Sequence, residues 1–108
     1  MILFYNPRCS KCRSARKLLD EAGASYSAVN VLDQGLTDEQ ARNFYTTFGD
    51  RLLRKSVLQR AGLDFPQNAD EAVKALRECP QAMERPIAVI EGKAIIARPP
   101  EVLLEYLP

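Results

Sequence analysis

The sequence predicts an α/β fold: a mixed four-stranded sheet with flanking helices and a helical insert between its second and third strands. Three observations point there. Residues 1–5, Met-Ile-Leu-Phe-Tyr, form a short apolar run that leads into helical periodicity and then into a second strand-like run, the order of a βαβ unit. Ile87–Ile90 and residues 93–97 flank Glu91-Gly92, the spacing of a tight β-hairpin. Between these two ends, residues 37–79 carry only helical patterns.

The elements follow in order. Asn6-Pro7-Arg8 interrupts the first strand as a turn. From Ser10 to Ala22, positions Ala15, Leu18, Leu19 and Ala22 fall at i, i+3, i+4 and i+7, one helical face, and Gly23 is placed to stop the helix. Residues 26–32 read as the second strand. A strand–helix–strand unit makes those strands parallel with a right-handed crossover.

In the insert, Thr37 and Gln40 have capping-box spacing, followed by Ala41, Phe44, Tyr45 and Phe48 on one face and Gly49 as a stop. Residues 51–60 form a basic segment with Leu52, Leu53, Val57 and Leu58 on its apolar side, broken by residues 62–66. Asn68 is placed to cap a further helix carrying Ala72, Ala75, Leu76 and Cys79. After the hairpin, Pro99-Pro100 opens a last short helix with Val102, Leu103 and Tyr106. Sheet, insert, hairpin and final helix together are a thioredoxin-like arrangement.

The chain of 108 residues is expected to form a single domain, 1–108. Its 46% hydrophobic and 27% charged residues suit a globular protein, and a net charge of +1 gives no bulk case for nucleic acid. No apolar run approaches the roughly 20 residues of a membrane span. Met1 leads straight into a strand-like run without a basic n-region, so no secretory signal is read and a cytoplasmic location is expected. A monomer is expected. Three cysteines is an odd count, unsuited to a secreted disulfide framework, and with no histidine a structural zinc site lacks ligands.

Cys9-Ser10-Lys11-Cys12 is the candidate site. Two cysteines one helical turn apart at a helix start meet the unpaired N–H groups of the first turn, whose partial positive charge favours a thiolate. Arg8, Lys11 and Arg13 add positive charge. Without histidine, the Cys–His and Ser–His–Asp arrangements are absent, so any activation of Cys9 rests on helix geometry and cations. Cys12 reads as a resolving thiol or as a small packed residue on the inner face. Cys79 reads as a buried, inert cysteine.

The hairpin adds an inference about charge. With Glu91-Gly92 as a two-residue turn, Ile90 faces Lys93, Ile87 faces Ile96 and, further out, Arg85 falls opposite Arg98. Like charges directly opposite are unfavourable. An anion between them resolves the conflict, since guanidinium groups bind oxyanions in a bidentate manner, and so do two splayed, solvated side chains. Spacing leaves both readings open. It likewise leaves open whether the bond before Pro86 is cis. In the insert, Arg54 and Lys55 read as a solvated pair.

These residues resemble the glutaredoxin-linked arsenate reductases. Residues 6–13, Asn-Pro-Arg-Cys-Ser-Lys-Cys-Arg, resemble their N-P-x-C-x-x-x-R segment, and Leu52-Leu53-Arg54-Lys55 their L-L-R-K segment. Arg85-Pro86-Ile87 and Arg98-Pro99-Pro100-Glu101-Val102 resemble their R-P-I and R-P-x-E-V segments. The resemblance spans essentially the whole chain. It implies a cis-proline at Pro86, Cys9 as nucleophile and Arg54, Arg85 and Arg98 as oxyanion-binding residues, with no resident cofactor and no metal.

The implied reaction is reduction of arsenate, or a related oxyanion, to arsenite, with glutathione as co-substrate and glutaredoxin as partner. The phosphatase-like arsenate reductases use C-x5-R, and here the sixth residue after Cys9 is Ala15. The Cys9–Cys12 pair is also similar to that of the Spx-type redox regulators, which bind RNA polymerase. Arg98, which those regulators usually lack, favours the enzyme. A glutaredoxin-like disulfide reductase is a third reading, disfavoured because disulfide exchange needs no anion clamp.

Overall fold

The computed structural model describes residues 1–107, which divide into two compact units: Met1–Asn30 with residues 85–107, and Val31–Glu84. The first unit contains the sheet. Strand β1 (Ile2–Tyr5) is followed by helix α1 (Ser10–Glu21) and strand β2 (Ser27–Asn30); after the insert come strands β3 (Ile87–Ile90) and β4 (Lys93–Ile96) and a 3₁₀ helix, Pro100–Tyr106. The strand order is β2-β1-β3-β4. β1 and β2 are parallel, as the α1 crossover requires, and β3 is antiparallel to both β1 and β4.

Local chemistry explains the boundaries. α1 ends in a Schellman motif: Gly23 adopts φ +70°, its N–H meets Asp20 O, and the Ala24 N–H meets Leu19 O at 3.0 Å. The hairpin turn has Glu91 at φ 51° and Gly92 at φ 79°, the two left-handed residues of a type I′ turn. The register then pairs Ile90 with Lys93 and Ile87 with Ile96, as spacing predicts. The core on one sheet face joins Leu3 and Ala88 to Ala15 and Leu19 of α1, with Ala97 and Leu103. Burying each leucine contributes about 1.5–3 kcal/mol.

The second unit is helical. α2 (Asp38–Phe48) has the expected capping box between Thr37 and Gln40, and α4 (Ala69–Glu78) is capped by the Asn68 side chain. Between them lie the 3₁₀ turn Gly49–Leu52 and α3 (Lys55–Arg60). Cys79 is buried, as expected, but it is the C-cap just beyond α4 and not a residue of its apolar face. Among the described residues, no helix is long and apolar enough to cross a membrane.

The structure departs from the sequence expectations in several places. The buried face of α1 is Cys12, Ala15 and Leu19, while Ala22 is exposed because the helix has already ended. The last short helix is present as a 3₁₀ helix; Leu103 on it is buried, but Tyr106, expected on its apolar side, is 40% exposed. Arg54 and Lys55 are not a solvated pair: Lys55 is exposed, but Arg54 is partly buried. It is the N-cap of α3, held by its backbone N–H to Ala82 O at 2.7 Å.

Candidate active site

Four short segments of the sheet unit build the site: the end of β1, the start of α1, the start of β3 and the end of β4. Asn6 organises the first junction. Its Oδ1 accepts the Arg8 N–H at 2.8 Å, closing an Asx turn across Pro7, and its carbonyl accepts the Cys9 N–H at 3.0 Å. Its own N–H donates to Cys12 Sγ at 3.4 Å. Arg13 Nη1 donates to Pro7 O at 3.1 Å, so that cation braces the turn from outside.

This turn makes Cys9 the N-cap of α1, with extended backbone at φ −94° and ψ 124°. The sulfur makes no short capping bond, and the first-turn amides act on it as a diffuse positive field. Burial pushes the Cys9 thiol up, but the Cys12 amide, the Cys12 side chain, the Lys11 amide and the Arg85 side chain together outweigh it and lower its pKa to about 7. Cys12 behaves oppositely. It is fully buried, and burial, reinforced by the neighbouring Cys9 charge, pushes it up to about 12 against the Asn6 amide, which lowers it. Near pH 7 Cys9 is therefore about half ionised, while Cys12 beside it stays a thiol. Neither is in a disulfide.

The hairpin delivers the arginines. Beyond the Ile87–Ile96 pair, the Ala97 N–H bonds Pro86 O at 2.9 Å, which carries the register outward to Arg85 and Arg98. The two guanidiniums do not simply splay into water. Arg98 Nε donates to Arg85 O at 2.6 Å, and Arg98 Nη2 lies 3.4 Å from Cys9 Sγ. The group that the Arg98 guanidinium reaches in this structure is the Cys9 sulfur. The Arg85–Pro86 and Arg98–Pro99 bonds are both cis.

The structure thus brings together Cys9, Cys12, Arg85 and Arg98 beside Pro86 in one unit. Arg54 lies in the other unit, where it is partly buried with Nε 4.0 Å from Glu84 Oε1. Arg8 and Lys11 are exposed beside Cys9. Sequence reasoning missed Asn6, which it read only as a turn former. The available signal was the Asn-Pro dipeptide three residues before a cysteine, since asparagine bonds a backbone N–H two residues on. Among the described residues, no three of the metal-binding side-chain types gather as a ligand set.

A βαβ unit with a cysteine at the start of its helix, joined to a proline-led antiparallel hairpin in one four-stranded sheet, is the thioredoxin-like class of fold. Within that class the chain belongs to the ArsC family, whose model matches residues 4–106. It is 34% identical to the Escherichia coli (strain K12) protein YfgD, over 97% of this chain and 94% of that one. It is 33% identical to an arsenate reductase of Neisseria meningitidis serogroup A, over 92% of this chain and 91% of that one. The solved structure of an arsenate reductase from Vibrio cholerae superposes with a TM-score of 0.80 at 30% identity, covering 98% of this chain and 96% of that one.

Proposed function

We propose that this protein is a thiol-dependent arsenate reductase with Cys9 as its nucleophile. The observation that carries this reading is the guanidinium of Arg98 at 3.4 Å from a Cys9 sulfur whose pKa is lowered to about 7. A thiolate already in contact with an oxyanion-binding group is the arrangement that attack on a tetrahedral anion needs. The Neisseria and Vibrio relatives named arsenate reductases support the choice of oxyanion.

The steps balance as follows. The Cys9 thiolate attacks arsenic, an As–O bond breaks, and that oxygen leaves as water after taking up protons; arsenic stays As(V). Arg85 and Arg98 stabilise charge on the remaining oxygens, and Arg54 is assigned as the third such residue on the strength of its Leu-Leu-Arg-Lys segment. A glutathione thiolate then attacks the Cys9 sulfur. The S–As bond breaks, its electron pair passes to arsenic, and arsenite departs. The two sulfurs are oxidised to a mixed disulfide, which glutaredoxin reduces.

Cys12, kept as a thiol, serves as a neutral donor beside the Cys9 anion. It becomes a resolving nucleophile only on losing its proton. Purified protein supplied with glutathione, glutaredoxin and arsenate is expected to form arsenite, and Cys9→Ser is expected to form none. Absence of arsenite with glutathione and with a dithiol donor overturns the proposal.

A further inference from the structure

We propose that Asn6 is the positioning residue for Cys9: its side chain closes the turn that holds the sulfur at the mouth of α1 within reach of Arg98. The inference rests on the reading of Cys9 as the reacting sulfur and adds to it the residue that keeps that sulfur in place.

Asn6 is 3% exposed, the one polar residue among the described buried side chains. Burial of an amide is unfavourable unless its polar atoms are paired. Three of its atoms are paired within the next six residues: Oδ1 with the Arg8 N–H, O with the Cys9 N–H, and N with Cys12 Sγ. A residue needed only to end β1 has no reason to direct all three bonds to the segment that carries the nucleophile.

Each bond has a consequence at Cys9. The Oδ1 bond fixes the chain direction through Pro7 and Arg8, and the carbonyl bond then fixes the Cys9 amide. Together they set the extended Cys9 backbone that makes it N-cap and not a residue of the first turn. Only from the N-cap does a side chain look back over the amides of Lys11 and Cys12. The Asn6 N–H, by donating to Cys12 Sγ, occupies a lone pair there and leaves the Cys12 S–H to turn toward Cys9.

The side-chain bond is the one that mutation can remove. Asn6→Ala leaves the backbone N–H and C=O in place but deletes Oδ1. Asn6→Ser restores an acceptor one atom nearer the backbone, able to form the weaker hydroxyl version of the same turn. The readout is the rate of Cys9 alkylation by iodoacetamide against pH, in a Cys79→Ser background.

Wild-type protein is expected to show a midpoint near pH 7. Asn6→Ala is expected to raise it by about one unit, and Asn6→Ser to bring it part of the way back. A lowered melting temperature with an unmoved midpoint in both variants overturns the proposal, because a residue that merely supports the fold changes stability and leaves the sulfur's titration alone. Should Asn6→Ala fail to fold, the Asn6→Ser midpoint decides alone: a rise supports the proposal and no rise overturns it. The assay contains no arsenate. Failure to form arsenite therefore removes the proposed reaction without touching this result, and an unmoved midpoint removes the positioning role without touching the reaction.

Discussion

Replacing Arg98 by glutamine tests the electrostatics of the site most directly. The perturbation removes a positive charge 3.4 Å from Cys9 Sγ and the Nε bond to Arg85 O. Coulomb's law at that distance gives about 1.2 kcal/mol in bulk water and about 5 kcal/mol at an effective dielectric of about 20. At about 1.4 kcal/mol per pKa unit, these limits span a rise of about one to three and a half units. Arg85 stays and water enters the space, so the expected rise is about one to two units, from about 7 to about 8 or 9. A thiol with pKa near 7 is about half ionised at pH 7; after the substitution the ionised fraction is about a tenth to a hundredth.

Nucleophilicity runs the other way. A thiolate of higher pKa is more reactive, by about threefold per unit. Iodoacetamide kinetics are therefore expected to cross: Arg98→Gln reacts about two- to fivefold more slowly than wild type at pH 7 and several-fold faster above pH 9.5. Arg98→Lys, which keeps charge without the planar fork, is expected to fall between. Superimposable pH profiles for wild type and Arg98→Gln refute the reasoning, because they leave the guanidinium at Cys9 without electrostatic effect.

Other substitutions separate the remaining roles. Cys12→Ala removes the buried thiol beside Cys9; arsenite formation with glutathione is expected to persist at a reduced rate and the Cys9 midpoint to rise, and complete loss of glutathione-supported turnover assigns Cys12 an obligatory resolving role instead. Leu19→Ala opens the fully buried core between α1 and the sheet and is expected to cost about 3 kcal/mol in urea denaturation, with the melting temperature about 12–24 °C lower. Glu91→Asn places the preferred residue at a left-handed turn position and is expected to stabilise by about 0.5–1 kcal/mol with unchanged Cys9 alkylation.

The fold was legible because its signals are local. Apolar runs, capping pairs and stop glycines at Thr37–Gln40, Asn68, Gly23 and Gly92 act through neighbours in sequence, so a reader of the chain meets both partners together. The errors sit where tertiary packing decides. Arg54 falls at a helix start because the backbone of 52–54 pairs with that of 82–84, through Leu52 O, the Leu53–Met83 bridge and the Arg54 N–H. Nothing within a few residues of Arg54 announces partners almost thirty positions away. Tyr106 is a similar case: apolar spacing groups it with Leu103, but only Leu103 enters the core beside α1.

The site shows why the hairpin was more informative than the C-x-x-C. Spacing around Glu91-Gly92 places Arg85 opposite Arg98, because register in a two-residue hairpin leaves no freedom. What register does not contain is where the guanidiniums turn, and the structure turns Arg98 to a sulfur 89 positions earlier in the chain. That choice has a physical cause. Arg98 Nε is tied to the Arg85 carbonyl, so its Nη atoms are held at a fixed angle from the end of the sheet, and Cys9 stands at the start of the helix that follows the central strand β1. An ammonium group has no second nitrogen to be anchored in this way. The pairing of like charges that looks unfavourable along the ladder is thus the means by which one arginine's backbone orients the other's side chain, and both then lower the cost of a negative charge at Cys9.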